Sequence, residues 1–435
     1  METVSHRTDH PVSKPFPNPF GCLAAAGRLA AAGLLLLLAV PASGWCRTVD
    51  AASAVDAASA VDVAFAADVA SAADVASETI LNRFSGYYKM LASFSKTAGT
   101  KEGFFSILQR GRLTWEPQIN AHWDAQITVD NELLLHDFAH TPEFTLLRRK
   151  DYKDLAFWDT DRTVTDKDHI FFRYAVYRAF LTCHGEDFRV TMGKQLVDWG
   201  RMRFYSPLDI FNQPLPSDIE PQERVGFDGF NVELFGGDFS GLSFVFGPGE
   251  DEEGTSFGVR GYKKIGTYDL FLIAADHQDD LVFGLGWDGY LKDAGFRGEL
   301  TYTKDGGDEG LRVALGCDYN FGTKTYVAAE YFYNGLANGD TGAFSSSLSE
   351  QRRRLSLQKN LIGIMATYDL TPLIKLKGTI LCDIDGESAF LNPEIRYNVR
   401  ENLDVAAGAQ LFVERADSEF AGYENLFYIE AKLFF

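Results

Sequence analysis

The chain has 435 residues but only 5 cysteines, and none of them sits in a spacing that suggests chemistry. Cys183, Cys317 and Cys382, the three within the strongly patterned part of the chain, form neither a disulfide framework nor a zinc motif, so incidental thiols are expected. Long apolar runs are equally scarce. Beyond residues 29–40 no stretch approaches the roughly 18 uninterrupted apolar residues that a membrane-crossing helix needs, so any membrane insertion has to use strands. Positive charge is in deficit, with 41 Lys and Arg against 61 Asp and Glu and a formal net charge of -20. That balance argues against nucleic acid as a partner. Enzyme signatures are missing too: the chain has no G-x-S-x-G elbow, no P-loop and no Ser/His/Asp cluster, so neither a catalytic residue nor a cofactor is expected. His136 and His140 lie four apart but on an expected loop rather than a helix, and no metal site is expected there.

What is present begins with residues 1–44, which read as a secretory leader. Arg7, Lys14 and Arg28 precede the apolar core at residues 29–40, and Ala42 and Gly44 are the small residues of a cleavage site before Trp45. Residues 45–80 are a low-complexity, Ala-rich segment in which Asp50, Asp56, Asp62, Asp68 and Asp74 recur every six residues. Six is not a helical period, so the aspartates define no face. A flexible periplasmic tether is the expectation, and a helix that binds a partner is the alternative.

Residues 81–435 change character. They break into segments of about ten residues with period-two polarity. Trp123, Ala125, Ile127 and Val129 oppose Asp124, Gln126, Thr128 and Asp130; Phe296, Leu300 and Tyr302 oppose Arg297, Glu299 and Thr301; Ile374, Leu376 and Ile380 oppose Lys375, Lys377 and Thr379. A charge on a lipid-facing position at mid-bilayer costs about 2–4 kcal/mol, so this segregation points to an all-β, transmembrane, antiparallel up-and-down barrel. About 18 strands are expected, the first near residues 84–94 and the last at 425–435. Residues 77–94 could be helix or strand. Connections alternate short and long, as barrel turns and loops do, although the one at residues 277–279 is short where a long one is due. Arg173 and Arg178 have opposite parity within one segment, and Lys194 falls on an apolar side. A bulge at Gly193 and snorkelling of Arg173 would reconcile them.

In the last segment Phe427, Ile429, Ala431, Leu433 and Phe435 share one face, and Tyr428, Glu430 and Lys432 share the other. A dyad strand that ends the chain on an aromatic resembles the terminal strand of Gram-negative outer-membrane barrels. The resemblance implies that Phe427, Ile429, Leu433 and Phe435 carry the signal read by the barrel-insertion machinery. A second resemblance rests on residues 193–212, Gly-Lys-Gln-Leu-Val-Asp-Trp-Gly-Arg-Met-Arg-Phe-Tyr-Ser-Pro-Leu-Asp-Ile-Phe-Asn, followed by Glu223-Arg-Val-Gly-Phe-Asp-Gly-Phe-Asn231. This strand, Pro-punctuated loop and returning strand resemble outer-membrane porin-like barrels, including the alginate-export type, over about residues 170–236. The Pro-rich insert from Ser206 to Pro221 departs from the alginate-export pattern. The resemblance implies a pore in the outer membrane that passes small solutes or a polymer.

The candidate site follows from these readings. Pro207, Pro214, Pro216 and Pro221 stiffen a connection too long to be a turn, and the loop at 198–225 is expected to fold inward. Arg201, Arg203 and Arg224 would face Asp198, Asp209, Glu220 or Glu223 at a constriction, where fixed charge sets selectivity. Alternatively these groups pair with one another and pin the loop to the wall. Arg110, Arg112, Asp124, Arg189, Glu233, Arg297, Glu299, Arg312, Glu394 and Arg396 are expected to line a wide polar lumen. The function expected is a channel for passive or weakly selective diffusion of small polar or charged solutes, set in outer-membrane lipid with both termini periplasmic. The alternative is a structural or export barrel whose lumen houses a partner protein or passes a polymer. A homo-oligomer and a periplasmic partner both stay open.

Overall fold

The computed structural model describes residues 84–96, 102–137, 157–167, 169–213, 216–217, 219–220, 223–224, 226–249, 254–278, 280–305, 308–339 and 353–435. The leader at 1–44, the tether at 45–80, His140, Pro214 and Pro221 lie outside the described residues.

The strands are β1 (Phe84–Lys96), β2 (Gly103–Trp115), β3 (Trp123–His136), β4 (Asp161–Lys167), β5 (Ile170–His184), β6 (Phe188–Gln195) and β7 (Phe227–Gly236). There follow β8 (Ser240–Gly247), β9 (Ser256–Ile265), β10 (Tyr268–His277), β11 (Asp280–Leu291), β12 (Ala294–Asp305) and β13 (Asp308–Phe321). The chain ends with β14 (Thr325–Asn334), β15 (Asn360–Thr371), β16 (Ile374–Asp383), β17 (Ser388–Arg400), β18 (Leu403–Val413) and β19 (Leu426–Phe434). Each wall strand pairs antiparallel with its neighbours, and β1 pairs with both β2 and β19, so the sheet closes on itself. Eighteen strands form the wall. Residues 84–94 are therefore strand and not helix. At the seam Gly86 and Phe435 exchange backbone hydrogen bonds of 3.0 and 3.1 Å, which puts the two ends of the barrel at one rim.

The nineteenth strand, β4, was not foreseen. Its sequence, Asp-Arg-Thr-Val-Thr-Asp-Lys, has no apolar face to read. It pairs with Ile170–Ala175 of β5, while β6 pairs only with Ala179–His184. Because β6 is short and the chain leaves the wall after Gln195, the far half of β5 would otherwise present bare backbone groups, and β4 covers them.

Burial is inverted relative to a water-soluble protein. Lys89 and Glu299 have no solvent exposure, whereas Leu272 is 64% exposed and Ile429 58%. Tyr428 and Glu430 point inward, with the Tyr428 hydroxyl donating to Glu394 at 3.0 Å. Two irregular segments obey the same rule. In the pairing of β3 with β5, Thr128 faces Arg178 and Val129 faces Val176, so Tyr177 is an extra residue and the parity of β5 flips there. Arg173 and Arg178 thus both point inward. Arg173 does not snorkel but pairs with Glu132 at 2.6 Å. At Gly193 the expected bulge is absent, since the register with β5 and β7 is continuous. The re-aiming is done instead by a φ of 117°, which only glycine adopts readily, and Lys194 turns inward to Asp228 at 3.8 Å.

The lumen also departs from expectation. Its half away from the termini is not wholly polar but holds apolar clusters, two of them built on the chain between β6 and β7. In one, Phe204 and Tyr205 pack with Phe332, Leu361, Leu381, Phe390 and Phe420; in the other, Val197, Trp199 and Leu208 pack with Val245, Ile273 and Val282. Inward-facing positions near that rim are apolar because another piece of chain covers them.

Candidate functional site

That piece of chain is the connection at 196–226 between β6 and β7. Among its described residues the apolar side chains are spaced along a backbone with no strand partner, so they find cover only by turning into the barrel. Trp199 and Phe211 meet edge to face with centroids 4.9 Å apart and sit over Gly258 of β9. Leu208 lies on Gly284 and Gly286 of β11, and Phe204 on Gly363 of β15. A Cβ at Gly363 would stand 2.3 Å from Phe204 and one at Gly284 2.5 Å from Leu208, so these glycines are the space the segment occupies. Burying each large apolar side chain contributes about 1.5–3 kcal/mol to the docking.

Backbone groups of the segment need partners as well. Glu299 on β12 accepts from the N–H of Arg201 at 2.5 Å, Met202 at 3.2 Å and Leu208 at 2.9 Å, and from the Ser206 hydroxyl at 2.9 Å. Glu330 on β14 accepts from the N–H of Arg203 at 2.8 Å and Phe204 at 3.0 Å. Asn212 accepts from the Val197 N–H at 2.7 Å and closes the turn. Glu299, expected to line the lumen, therefore caps backbone N–H groups of the segment.

The second half of the segment reaches another part of the wall. Glu220 pairs with Lys89 on β1 and with Arg110 on β2, the latter at 3.0 Å. Glu223 pairs with Arg112 at 2.9 Å and accepts from the Tyr87 hydroxyl at 3.3 Å. Gln410 on β18 donates to the Ser217 carbonyl at 2.8 Å. Burial opposes the charge on both glutamates, but Arg110 and Lys89 hold Glu220 below the usual carboxylate range, and Arg112 and Arg110 do the same for Glu223. On the wall, Arg112 makes a two-pronged contact with Asp130, both bonds 2.6 Å, and Arg110 bonds Glu132 at 2.7 Å. Between the two halves Arg224 clamps Asp209 at 2.6 Å and Asp198 at 3.2 Å, and its carbonyl accepts from Arg178 at 2.8 Å. Burial pushes the Asp209 carboxyl up to about 7, helped by Asp198 and opposed by Arg224.

The expected constriction residues therefore divide. Asp198, Asp209, Glu220, Glu223 and Arg224 pair as pinning groups. Arg201 and Arg203 do not face these acids, which other cations hold. They lie instead over the rings of Phe271 and Tyr326, 4.9 and 5.0 Å from the centroids, and neither pairs with a carboxylate among the described residues. Arg260 covers the same Phe271 ring at 4.5 Å. The lumen charges are mostly neutralised in place: Arg189 with Glu233 at 2.5 Å, Arg396 with Glu394 at 3.2 Å and Glu430 at 3.3 Å, and Arg297 with Asp318, while Asp124 shares a hydrogen bond with the His184 ring. Arg312 bonds Asn334 at 3.2 Å and the Arg353 carbonyl at 2.9 Å. Phe427, Ile429 and Phe435 are exposed on the outer face, and Leu433 is half-buried beside them. Lys89 was missed; the signal was a lone cation in the run Tyr87-Tyr-Lys-Met-Leu91, whose burial demands a carboxylate. At the rim holding the termini the lumen opens into a cavity of about 1000 Å³, lined in part by Trp123, Asp124, Arg178, His184, Arg189 and Glu233.

The fold is a closed antiparallel barrel with an 18-strand wall. Solved structures similar to it include a triple mutant of Rhodopseudomonas blastica porin, at 12% identity and a TM-score of 0.43, covering 81% of this chain and 99% of that one. Another is OccAB4 of Acinetobacter baumannii, at 10% identity and a TM-score of 0.47, covering 81% of this chain and 97% of that one. No protein-family model and no curated protein matches the chain.

Proposed function

We propose that the protein is an outer-membrane channel for small polar or charged solutes, with both termini on the periplasmic side and residues 196–226 forming its constriction. The observation that supports it is the inversion of burial: large apolar side chains cover the outside while ionised ones line and cross the inside. A surface of this kind is stable in hydrocarbon and costly in water. No chemistry is asked of the site; it sorts solutes by size and charge. The guanidinium groups of Arg201, Arg203 and Arg260 lie on aromatic rings rather than on carboxylates, so the narrow zone favours anions.

Planar bilayers test the reading. Purified protein should give stable open conductance with a reversal potential displaced toward anions, and Arg201→Ala with Arg203→Ala should move it toward cations. Unchanged selectivity would reduce the two arginines to packing groups. A second reading is favoured by the apolar clusters that occupy part of the lumen. In it the barrel is a scaffold or export conduit that opens with a partner protein or polymer, and bilayers would record a closed barrel until that partner is added.

A further inference from the structure

The clamp around Arg224 has more carboxylates than cations. Asp198 and Asp209 share its guanidinium, at 3.2 and 2.6 Å, and Glu299 faces Asp209 from β12 while accepting only neutral N–H and O–H donors. Asp209 is 1% exposed and Glu299 not at all. The backbone N–H of Asn212 also faces Asp209, and Gly200 lies against its Cβ, 2.8 Å from where a side chain would begin. From β5, Arg178 reaches the Arg224 carbonyl but not the acids. Two buried carboxylates, Asp209 and Glu299, thus lie together with one guanidinium that the exposed Asp198 also shares, an arrangement that one proton relieves.

We infer that Asp209 is a proton-linked latch, which holds residues 197–213 against the wall when protonated and loosens them when ionised. The direction follows from linkage. Docked, the Asp209 carboxyl holds its proton up to about pH 7; undocked, it would lie in water and behave as an ordinary aspartate. The docked state binds the proton more tightly, so acid favours docking. Between the ordinary value of 3.8 and about 7, each pH unit shifts the ratio of docked to undocked toward undocked by up to about tenfold, and above that window the ratio levels off because both states are ionised. Arg224 works against this by stabilising the ionised form, and Asp198 and Glu299 work with it.

The inference deepens the constriction reading but is tested apart from it, by hydrogen exchange on the full chain in micelles from pH 4 to 8, corrected for intrinsic exchange. Protection of residues 197–213 should fall between about pH 4 and pH 7 by up to about tenfold per unit and level off above pH 7. In Asp209→Asn it should stay at the acid level throughout, and in Asp198→Asn, where a repulsion that raises Asp209 is lost and Arg224 is freed to hold it, the fall should level off at lower pH. A flat profile in the unaltered protein, or an equal fall in Asp209→Asn, overturns the latch. Conductance on the same samples separates the two readings: a falling profile in a barrel that never conducts removes the channel and keeps the latch, and a conducting barrel with a flat profile does the reverse.

Discussion

Lys89 of β1 and Glu220 of the inward segment, 131 residues apart in sequence, form an ion pair in which the lysine has no solvent exposure. The pair fastens the segment beside the strand that closes the barrel, so docking of the segment and closure of the wall are coupled. Glu220→Gln leaves Lys89 buried without its nearest carboxylate, and loss of one partner of a buried pair costs about 3–5 kcal/mol. The expected result is a lower urea midpoint, largely restored by adding Lys89→Met. If the double variant is no better than the single one, the pair is not the fastening.

Leu208 is fully buried between the segment and β11. Leu208→Ala should destabilise docking by about 3 kcal/mol, the usual cost of such a cavity, without harming the wall. Bilayer recordings should then show noisier and larger conductance, while the heat-modifiable gel shift of the folded barrel persists.

Ile429 and Glu430 are neighbours on opposite faces of β19. Ile429→Arg puts a charge on the outward face and should lower folding stability in lipid vesicles by about 2–4 kcal/mol if that face meets mid-bilayer. An effect within about 0.5 kcal/mol, as for an ordinary surface substitution, would remove lipid from that face.

Glu419, in the connection between β18 and β19, accepts from the N–H of Leu357 at 2.7 Å and Gln358 at 2.9 Å. Burial pushes its carboxyl up to about 8 despite those donors. The folded state therefore holds this proton more tightly than the unfolded chain, and stability falls as pH rises between the ordinary value of 4.5 and about 8. The loss is up to about 1.4 kcal/mol per pH unit. Urea midpoints from pH 6 to 8 should decline in the unaltered protein and decline less in Glu419→Gln.

Much of the wall was legible because each strand has to separate apolar from polar side chains every second residue, and Ile374 to Ile380 or Phe427 to Phe435 can do so in one way only. The exceptions have physical causes. β4 lacks an apolar face, and Tyr177 shifts parity without a glycine or proline to announce it. Inward positions such as Leu361 and Phe390 look like lipid-facing residues until the segment that covers them is in place. The site was legible as a place but not as a set of roles. A lumen carboxylate reads the same whether it meets a solute or caps a backbone N–H, so Glu299 looked like a pore charge. Nor could Arg201 and Arg203 be told from the arginine that does the clamping, because their partners come from strands far away in sequence.

The central claim, lipid outside and water inside, is tested most directly by nitroxide labels at Leu376→Cys and Lys377→Cys on β16, in a chain whose 5 native cysteines are replaced and which is folded into vesicles. The label at 376 should collide mainly with dissolved oxygen and the label at 377 mainly with a water-soluble nickel chelate. Equal accessibility of both to the chelate would contradict the account.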